Sequence, residues 1–243
     1  MSFGVYNQVI FEFFLTFLFL LIPIVIYRKD IQWKWIGILA ALFLVHKMVL
    51  FFGVAGIYPD IIGGRYNWEG KLAAIVLLLL AAWFLFPKEN DAWGFRLSQH
   101  GDHRKAGFWV AAFTLFLSTG LAWLYFSGTK TGAVSDWLYQ ISMPGIEEEL
   151  LDRGIMLLII DRAIPKKWKF AAVHWSWGAV VLTIMFYMTH VARVDDAWNI
   201  TVLWGDFLPG IYGLLLMYVR LATGSLALPI LLHGWINGIG YLI

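Results

Sequence analysis

The sequence predicts an all-α, polytopic integral membrane protein, with about eight transmembrane helices in a single membrane domain over residues 1–243. Of its 243 residues, 60% are hydrophobic and only 14% are charged, too few charges to cover a surface in contact with water. The mean hydropathy is +0.72. A bilayer core about 30 Å thick is crossed by about 20 apolar residues in a helix, and several runs reach that length.

Charges between the apolar stretches divide the chain into eight candidate spans, joined by connections too short to hold a second domain. The spans are roughly 6–27, 35–57, 71–86, 107–126, 137–160, 170–190, 200–221 and 225–243. The uncharged runs 106–129 and 170–192 define the fourth and sixth spans best. No Lys or Arg precedes the first run and no small-residue cleavage site follows it, so we expect that run to remain as a span.

The connections alternate between basic and less basic, which predicts the orientation of the spans. One set of alternate connections carries 12 Lys and Arg and the other carries 4. The basic connections are 28–34, 88–105, 162–169 and 219–225. Because basic connections stay in the cytoplasm, we expect a multi-pass plasma-membrane protein with both termini outside the cytoplasm. Residues 88–105 form either an amphipathic stretch on the inner membrane surface or a solvated basic loop.

Several function classes are excluded by composition and by missing motifs. The net charge of +2 gives no reason to expect a nucleic-acid partner. The absence of cysteine excludes disulfides, thiolate metal sites and a cysteine nucleophile. There is no His-Glu-x-x-His zinc motif, no Gly-x-Ser nucleophile motif and no Gly-x-Gly-Asp aspartyl motif.

The fifth span carries a cluster of charges that a membrane helix does not tolerate without partners or water. The cluster consists of Glu147, Glu148, Glu149, Asp152 and Arg153. Each charge at the centre of a helix costs about 2.5 to 3.5 kcal/mol on insertion scales. The alternative is that the cluster is the wet end of the helix and the span begins near Leu150. Only 11 residues run from Leu150 to Ile160, and their length of about 16 Å is too short to cross.

Helical spacing separates the charges of this cluster. Glu149 and Arg153 are four residues apart, share a face and are expected to pair. Glu148 lies about 100° away with Asp152 as its own i+4 neighbour, so it is predicted to be an unpaired carboxylate. Burial of such a group favours its protonated form and suits a general base or acid near neutral pH.

Two further spans place polar groups at the depth of Glu148. His190 ends the sixth span, and the eighth span carries His233 and Asn237 four residues apart. A lone histidine in an apolar helix is more often a hydrogen-bonded core residue. However, adjacent spans run in opposite directions, and Glu148, His190 and Asn237 then all fall in the outer half of the bilayer. We therefore expect them to converge on one cavity.

A carboxylate and a histidine around a water, with a second histidine and an amide nearby, favour hydrolysis of an amide bond without a covalent intermediate. Glu148, assisted by His190, would take a proton from water, and His233 and Asn237 would donate to the developing oxyanion. Zinc held by Glu148, His190 and His233 is the alternative. Metal-free catalysis without a cofactor is preferred, because Asn237 is a poor zinc ligand. Asp206 is either a supporting residue that hydrogen-bonds a site histidine or an interfacial residue.

Three motifs occur in order: Glu148-Glu149-x-x-x-Arg153, Phe186-x-x-x-His190 and His233-x-x-x-Asn237. Together they resemble the signature of the CPBP family of intramembrane glutamic endopeptidases, which includes the CAAX prenyl endopeptidases and bacterial Abi-type proteins. The resemblance covers about 144–238 and leaves 1–130 as variable spans. It implies that Glu148 is the catalytic glutamate, His190 its water-activating partner, and His233 and Asn237 the transition-state stabilisers. Asp152 departs from the family pattern, which often has an apolar residue there.

The sequence thus predicts an endopeptidase that cleaves near the C-terminal part of a membrane-anchored or lipidated protein, with that substrate and the lipid bilayer as its partners. The predicted site lies on the outer side, whereas prenylated CAAX substrates are processed from the cytosolic face, so both modes of presentation stay open. The first alternative is a non-proteolytic Abi-type immunity or scaffold protein. The second, a proton-coupled transporter, is less favoured because the polar groups occupy one half of the membrane and no repeat is visible.

A reporter enzyme that is active only outside the cytoplasm, fused after Ile243, tests the predicted orientation. The excess of basic residues in the inner connections predicts an active reporter in intact cells. A reporter that folds and is inactive there, while a cytoplasmic reporter at the same position is active, contradicts the termini-out arrangement.

Overall fold

The computed structural model describes residues 4–87, 89, 92–127 and 132–243, and this part of the chain is mostly helical. The long helices are α1 (Gly4–Ile26), α2 (Trp33–Val54), α3 (Trp68–Leu85) and α4 (Arg104–Phe126). The later helices are α5 (Val134–Glu148), a π segment (Glu149–Met156), α6 (Leu157–Ala163), α7 (Trp177–Val191), α8 (Leu208–Thr223), α9 (Ala227–Gly238) and a final 3-10 turn (Ile239–Tyr241). Lys88 and Lys130, which entered the charge count, lie outside the described residues.

Four of the described helices, α1 to α4, are long and apolar enough to cross a membrane, and α7 and α8 are shorter apolar helices. A multi-pass membrane protein follows from them, while the number of eight spans stays a prediction. The expectation of an all-α fold is wrong in detail. Two antiparallel hairpins occur, one of β1 (Lys167–Phe170) with β2 (Val173–Ser176) and one of β3 (Ala192–Val194) with β4 (Ile200–Val202).

The first hairpin occupies the start of the predicted sixth span. Its turn places Ala171 and Ala172 at positive φ, and α7 begins only after Ser176, whose hydroxyl accepts a hydrogen bond from the backbone N–H of Ala179. The run 170–192 contains no charge, so hydropathy gave no sign of this turn. The predicted seventh span likewise begins with β4, and α8 starts later with Pro209 in its first turn.

The second hairpin is closed by hydrogen bonds to one carboxylate. The Asp195 side chain accepts bonds from the Asn199 amide and from the backbone N–H groups of Ala197 and Asn199. These bonds, the one from the Asn199 side chain first, hold the pKa of Asp195 below its usual value. Asn7 of α1 donates to the Asp195 carbonyl at 2.9 Å, which attaches the hairpin to the first helix.

The acidic cluster lies inside a continuous helical stretch. Helix α5, the π segment and α6 follow one another from residue 134 to 163, and Glu148 ends α5 at the middle of that run. The backbone N–H of Leu157 donates to the Asp152 carbonyl, the i to i−5 bond of a π-helix. The helical stretch thus begins well before Leu150, and the position of the cluster within a membrane span stays a prediction.

Glycines bring α5 and α9 close together at the site. A Cβ on Gly234 would lie 2.0 Å from the Ile141 carbonyl oxygen, and one on Gly145 would lie 2.9 Å from the Ile230 carbonyl oxygen. Side chains at either position would push the helices apart. Because Gly234 follows His233 directly, this close approach places His233 next to the end of α5.

The basic connection 88–105, in its described part, is packed against the turn between α8 and α9. The Gly94 carbonyl accepts a bond from the Leu226 N–H, and the Thr223 carbonyl accepts bonds from His100 and Gly101. This segment is therefore a loop attached to the turn between α8 and α9, and its contact with the membrane surface stays a prediction. Arg220, counted above as a connection charge, lies in α8, is buried and donates to the Arg153 carbonyl at 2.9 Å.

Substitution Gly234→Ala tests the close packing of α5 and α9. The added methyl group meets the backbone of Ile141, so we expect a loss of stability of about 1 to 3 kcal/mol, typical of overpacking, seen as a lower thermal midpoint in detergent. Gly120→Ala in α4 is the matched control, because a Cβ there meets nothing within 4 Å. The control should be neutral or stabilised by up to about 1 kcal/mol. Equal midpoints for Gly234→Ala and wild type would refute the account.

Candidate active site

A buried ion pair lies at the centre of the site. Arg153 Nη1 donates to Glu149 Oε1 at 2.6 Å, and the two side chains are 1% and 0% exposed. The predicted i,i+4 pair is thus confirmed. His233 Nδ1 contacts the same Glu149 oxygen at 2.8 Å, and Arg153 Nη2 donates to the Gly213 carbonyl at 3.1 Å. The pair therefore joins the π segment to α8 and α9.

The ring of Phe186 packs against three of the site side chains. The Arg153 guanidinium lies 4.6 Å from the ring centroid, the His190 ring 4.5 Å and the His233 ring 5.6 Å in an edge-on arrangement. A Cβ on Gly213 would lie 2.8 Å from Phe186, so glycine is needed for α8 to pack here. Phe186, the first residue of the second motif, holds all three motifs together.

The contact with Glu149 determines the direction of the His233 ring. A carboxylate oxygen only accepts, so Nδ1 of His233 must donate to Glu149. The other nitrogen, Nε2, then faces Glu148 and lies 3.9 Å from its Oε2. Nε2 accepts hydrogen bonds in the neutral ring and donates only in the imidazolium form. The expected role as an oxyanion donor therefore requires a protonated His233.

His190 lies between two cavities. Its Nδ1 donates to the Phe186 carbonyl at 2.6 Å, so Nε2 is the nitrogen that stays available. The first cavity, of about 290 Å³, is lined by Glu148 and His190 among others. The second cavity, of about 190 Å³, is lined by His190, His233 and Asn237. The structure thus brings Glu148 and the two histidines together, with Asn237 on the side of the second cavity.

The prediction that Glu148 is unpaired is wrong. Lys71 Nζ of α3 lies 3.0 Å from Glu148 Oε1. Lys71 also contacts Glu147, and Glu147 contacts His46 of α2. Sequence reasoning treated Lys71 as a connection charge, because its partners are more than 70 residues away and no helical spacing relates them. One signal pointed to it, since Lys71 begins the predicted third span in the predicted outer half, where Glu148 was also expected.

Other polar residues take positions around the cavities. Asp206 is exposed and lines the second cavity, but within the described residues no hydrogen bond joins it to a histidine. Asp152 lines the first cavity. Glu12 and Lys47 form an ion pair of 2.6 Å between α1 and α2.

No metal site can be assigned from the described side chains. Among them, no group of three or more His, Asp or Glu residues is arranged to hold a metal ion. The zinc alternative at Glu148, His190 and His233 therefore has no geometric support here, and catalysis without metal or cofactor stays a prediction.

Apolar helices enclose the carboxylate–histidine cluster, which is the arrangement expected of an intramembrane hydrolase. Residues 129–239 match the family model described as type II CAAX prenyl endopeptidase Rce1-like. The match supports the assignment of this part of the chain to that family of CAAX proteases. No curated protein and no solved structure shows a significant match to the chain.

The family assignment has direct consequences for function. The description of the matched family suggests CAAX-type intramembrane protease activity. The matched range encloses the three motifs and leaves out Lys71 and His46. The contact between Lys71 and Glu148 is therefore a feature of the chain outside the matched range.

Substitution Arg153→Met tests whether the ion pair stabilises the fold. It leaves Glu149 buried without its cationic partner, and removal of one member of a buried pair costs about 3 to 5 kcal/mol. We expect a clear loss of folded, monodisperse protein and a lower thermal midpoint in detergent. The double variant Glu149→Gln/Arg153→Met removes both charges and should recover part of the loss. If Arg153→Met is as stable as wild type, or the double variant recovers nothing, the charge pair does not act as described.

Proposed function

We propose that the chain is a metal-independent intramembrane endopeptidase in which Glu148 activates water to cleave a peptide bond near the C-terminal part of a membrane-anchored or lipidated protein. One observation carries the proposal. The Glu148 carboxylate shares a cavity with His190 and faces His233 Nε2, all within a bundle of apolar helices. A carboxylate with histidines in such surroundings serves general acid–base chemistry.

The reaction uses one water and forms no covalent intermediate with the protein. In this reaction, a water held between Glu148 Oε2 and His190 Nε2 gives a proton to Glu148 while the water oxygen attacks the substrate carbonyl carbon. The side-chain amide of Asn237 and the protonated His233 donate to the oxyanion that forms. The carbon–nitrogen bond then breaks, and the proton held by Glu148 passes to the departing amine.

Glu149 and Arg153 act through His233. Glu149 holds Nδ1 and thereby points Nε2 at the reacting centre, and Arg153 holds Glu149. Preorganised donors of this kind are effective because they need not reorient during the reaction. This division of roles explains why the first motif contains two adjacent glutamates on different faces.

A path for the substrate leads from the second hairpin to Glu148. A groove of about 650 Å³ lies between α1 and this hairpin, and it shares Glu12, Lys47 and Arg193 with the cavity that holds Glu148. An extended peptide entering there reaches the carboxylate from the end of α7 that carries His190. The substrate arrives as a C-terminal tail whose anchor stays in the lipid beside the bundle.

Cleavage assays in proteoliposomes test the proposed function. The substrates are a farnesylated peptide and an unlipidated peptide with a transmembrane anchor. We expect Glu148→Gln and His190→Ala to lower kcat/KM roughly 100- to 10,000-fold, and Asn237→Ala roughly 100- to 1,000-fold. His174→Ala, an exposed histidine in β2, is the matched control and should keep wild-type activity. A metal chelator should have no effect on the wild-type rate.

The outcomes separate the alternatives. Cleavage by folded Glu148→Gln at the wild-type rate would show that Glu148 is not the base. Failure of folded wild type to cleave either peptide would favour the non-proteolytic immunity or scaffold function. Loss of activity with a chelator would favour the zinc alternative.

A further inference from the structure

The two oxygens of the Glu148 carboxylate face different helices. Lys71 Nζ of α3 lies 3.0 Å from Oε1, and His233 Nε2 of α9 lies 3.9 Å from Oε2. The Lys71 side chain is only 13% exposed, so water competes little for this contact. One oxygen is thus occupied by an ammonium group, and the other remains directed at the histidine.

Lys71 is itself held in place by a second chain of contacts. Its ammonium group also contacts Oε2 of Glu147, whose Oε1 contacts His46 Nε2 of α2. The Glu147 and His46 side chains are each 1% exposed. A lysine side chain is flexible, and two carboxylate contacts restrict it to one geometry. The contacts therefore run from His46 through Glu147 and Lys71 to Glu148.

The charges of this cluster determine the protonation of the base. Burial favours a neutral carboxyl group, which cannot take a proton from water, whereas a neighbouring cation favours the ionised form. Lys71 supplies that cation, but its single positive charge is shared by Glu147 and Glu148. The ionised form of Glu148, which the proposed reaction needs, thus has Lys71 as its cationic partner.

We propose that Lys71, anchored by Glu147 and His46, is a positioning residue that occupies Oε1 of Glu148 and leaves Oε2 as the oxygen that takes the proton from water. This inference rests on the proposed function, in which Glu148 is the base.

Other charged groups surround Glu148 and contribute to the pH dependence of kcat/KM. His190 from α7 and His233 from α9 face it directly. The remaining charged or titratable groups that line its cavity are Glu12, His46, Lys47, Lys71, Glu147, Asp152 and Arg193. Of the two lysines among them, Lys47 is paired with Glu12, and Lys71 is the one that contacts Glu148.

The pH profile of kcat/KM for wild type and Lys71→Met tests the proposal in proteoliposomes. Without the cation, we expect the acid limb of the profile to move to higher pH by about one unit or more. A shift of one unit lowers kcat/KM about tenfold at the acid end of the profile. Lys71→Arg should keep the acid limb near its wild-type position. Lys166→Met, which removes a lysine that is paired with Asp30 outside the cavity, is the matched control and should leave the limb in place. A purely structural role of Lys71 would lower activity equally at every pH.

If Lys71→Met does not fold, a second variant with the opposite expected effect still tests the proposal. Glu147→Gln leaves Lys71 with Glu148 as its one carboxylate partner, so the acid limb should move to lower pH. An unchanged limb in folded Lys71→Met, or a limb in Glu147→Gln that does not move to lower pH, would overturn the proposal.

Infrared spectroscopy makes the test independent of proteolysis. The difference between wild type and Glu148→Gln isolates the carbonyl band of protonated Glu148, and its titration is compared with the same difference in the Lys71→Met background. We expect the band to appear at higher pH without Lys71. Identical titrations would overturn the role of Lys71 even if wild type cleaves the peptides. A shifted titration with no cleavage would support the Lys71 contact and reject the proposed function.

Discussion

The rest of the site depends on the burial of the Arg153–Glu149 ion pair in a bundle of apolar helices. Taking two charges out of water is costly, and their attraction offsets the cost only when further hydrogen bonds satisfy them. Here Arg153 also reaches the Gly213 carbonyl and the Phe186 ring, and Glu149 also accepts from His233. The partners come from α7, α8 and α9, so the pair can be buried only if these helices are in place.

The same constraint explains the close helix contacts and the second cluster of charges. Lipid offers no hydrogen bonds, so the buried charges of α2, α3 and α5 must find partners in one another. His46, Glu147, Lys71 and Glu148 do so through a single line of contacts. Glycine at position 234 allows α9 to approach α5 closely enough for His233 to lie between the two carboxylates of the motif. The contacts between the buried charges therefore depend on the close packing of the helices.

Local spacing and span depth predicted a large part of the site. The i,i+4 relation of Glu149 and Arg153 predicted their pair, and alternating span directions predicted that Glu148 and His190 lie near each other. The contact between Lys71 and Glu148 could not be predicted in the same way, because it joins distant helices whose packing no periodicity encodes. The hairpin that ends in Ser176 was missed because hydropathy reports how apolar a segment is. It does not report where the backbone turns. The burial of Arg220 was missed because its partners are backbone carbonyls.

Turnover in water labelled with a heavy oxygen isotope distinguishes activation of water by Glu148 from direct attack of Glu148 on the substrate. After cleavage, mass spectrometry measures the label in the new C-terminus of the product and in the enzyme peptide that contains Glu148. The account predicts one labelled oxygen in the product carboxylate and an unlabelled Glu148. Label in the Glu148 side chain would show that this carboxylate forms a covalent intermediate, and it would contradict the account.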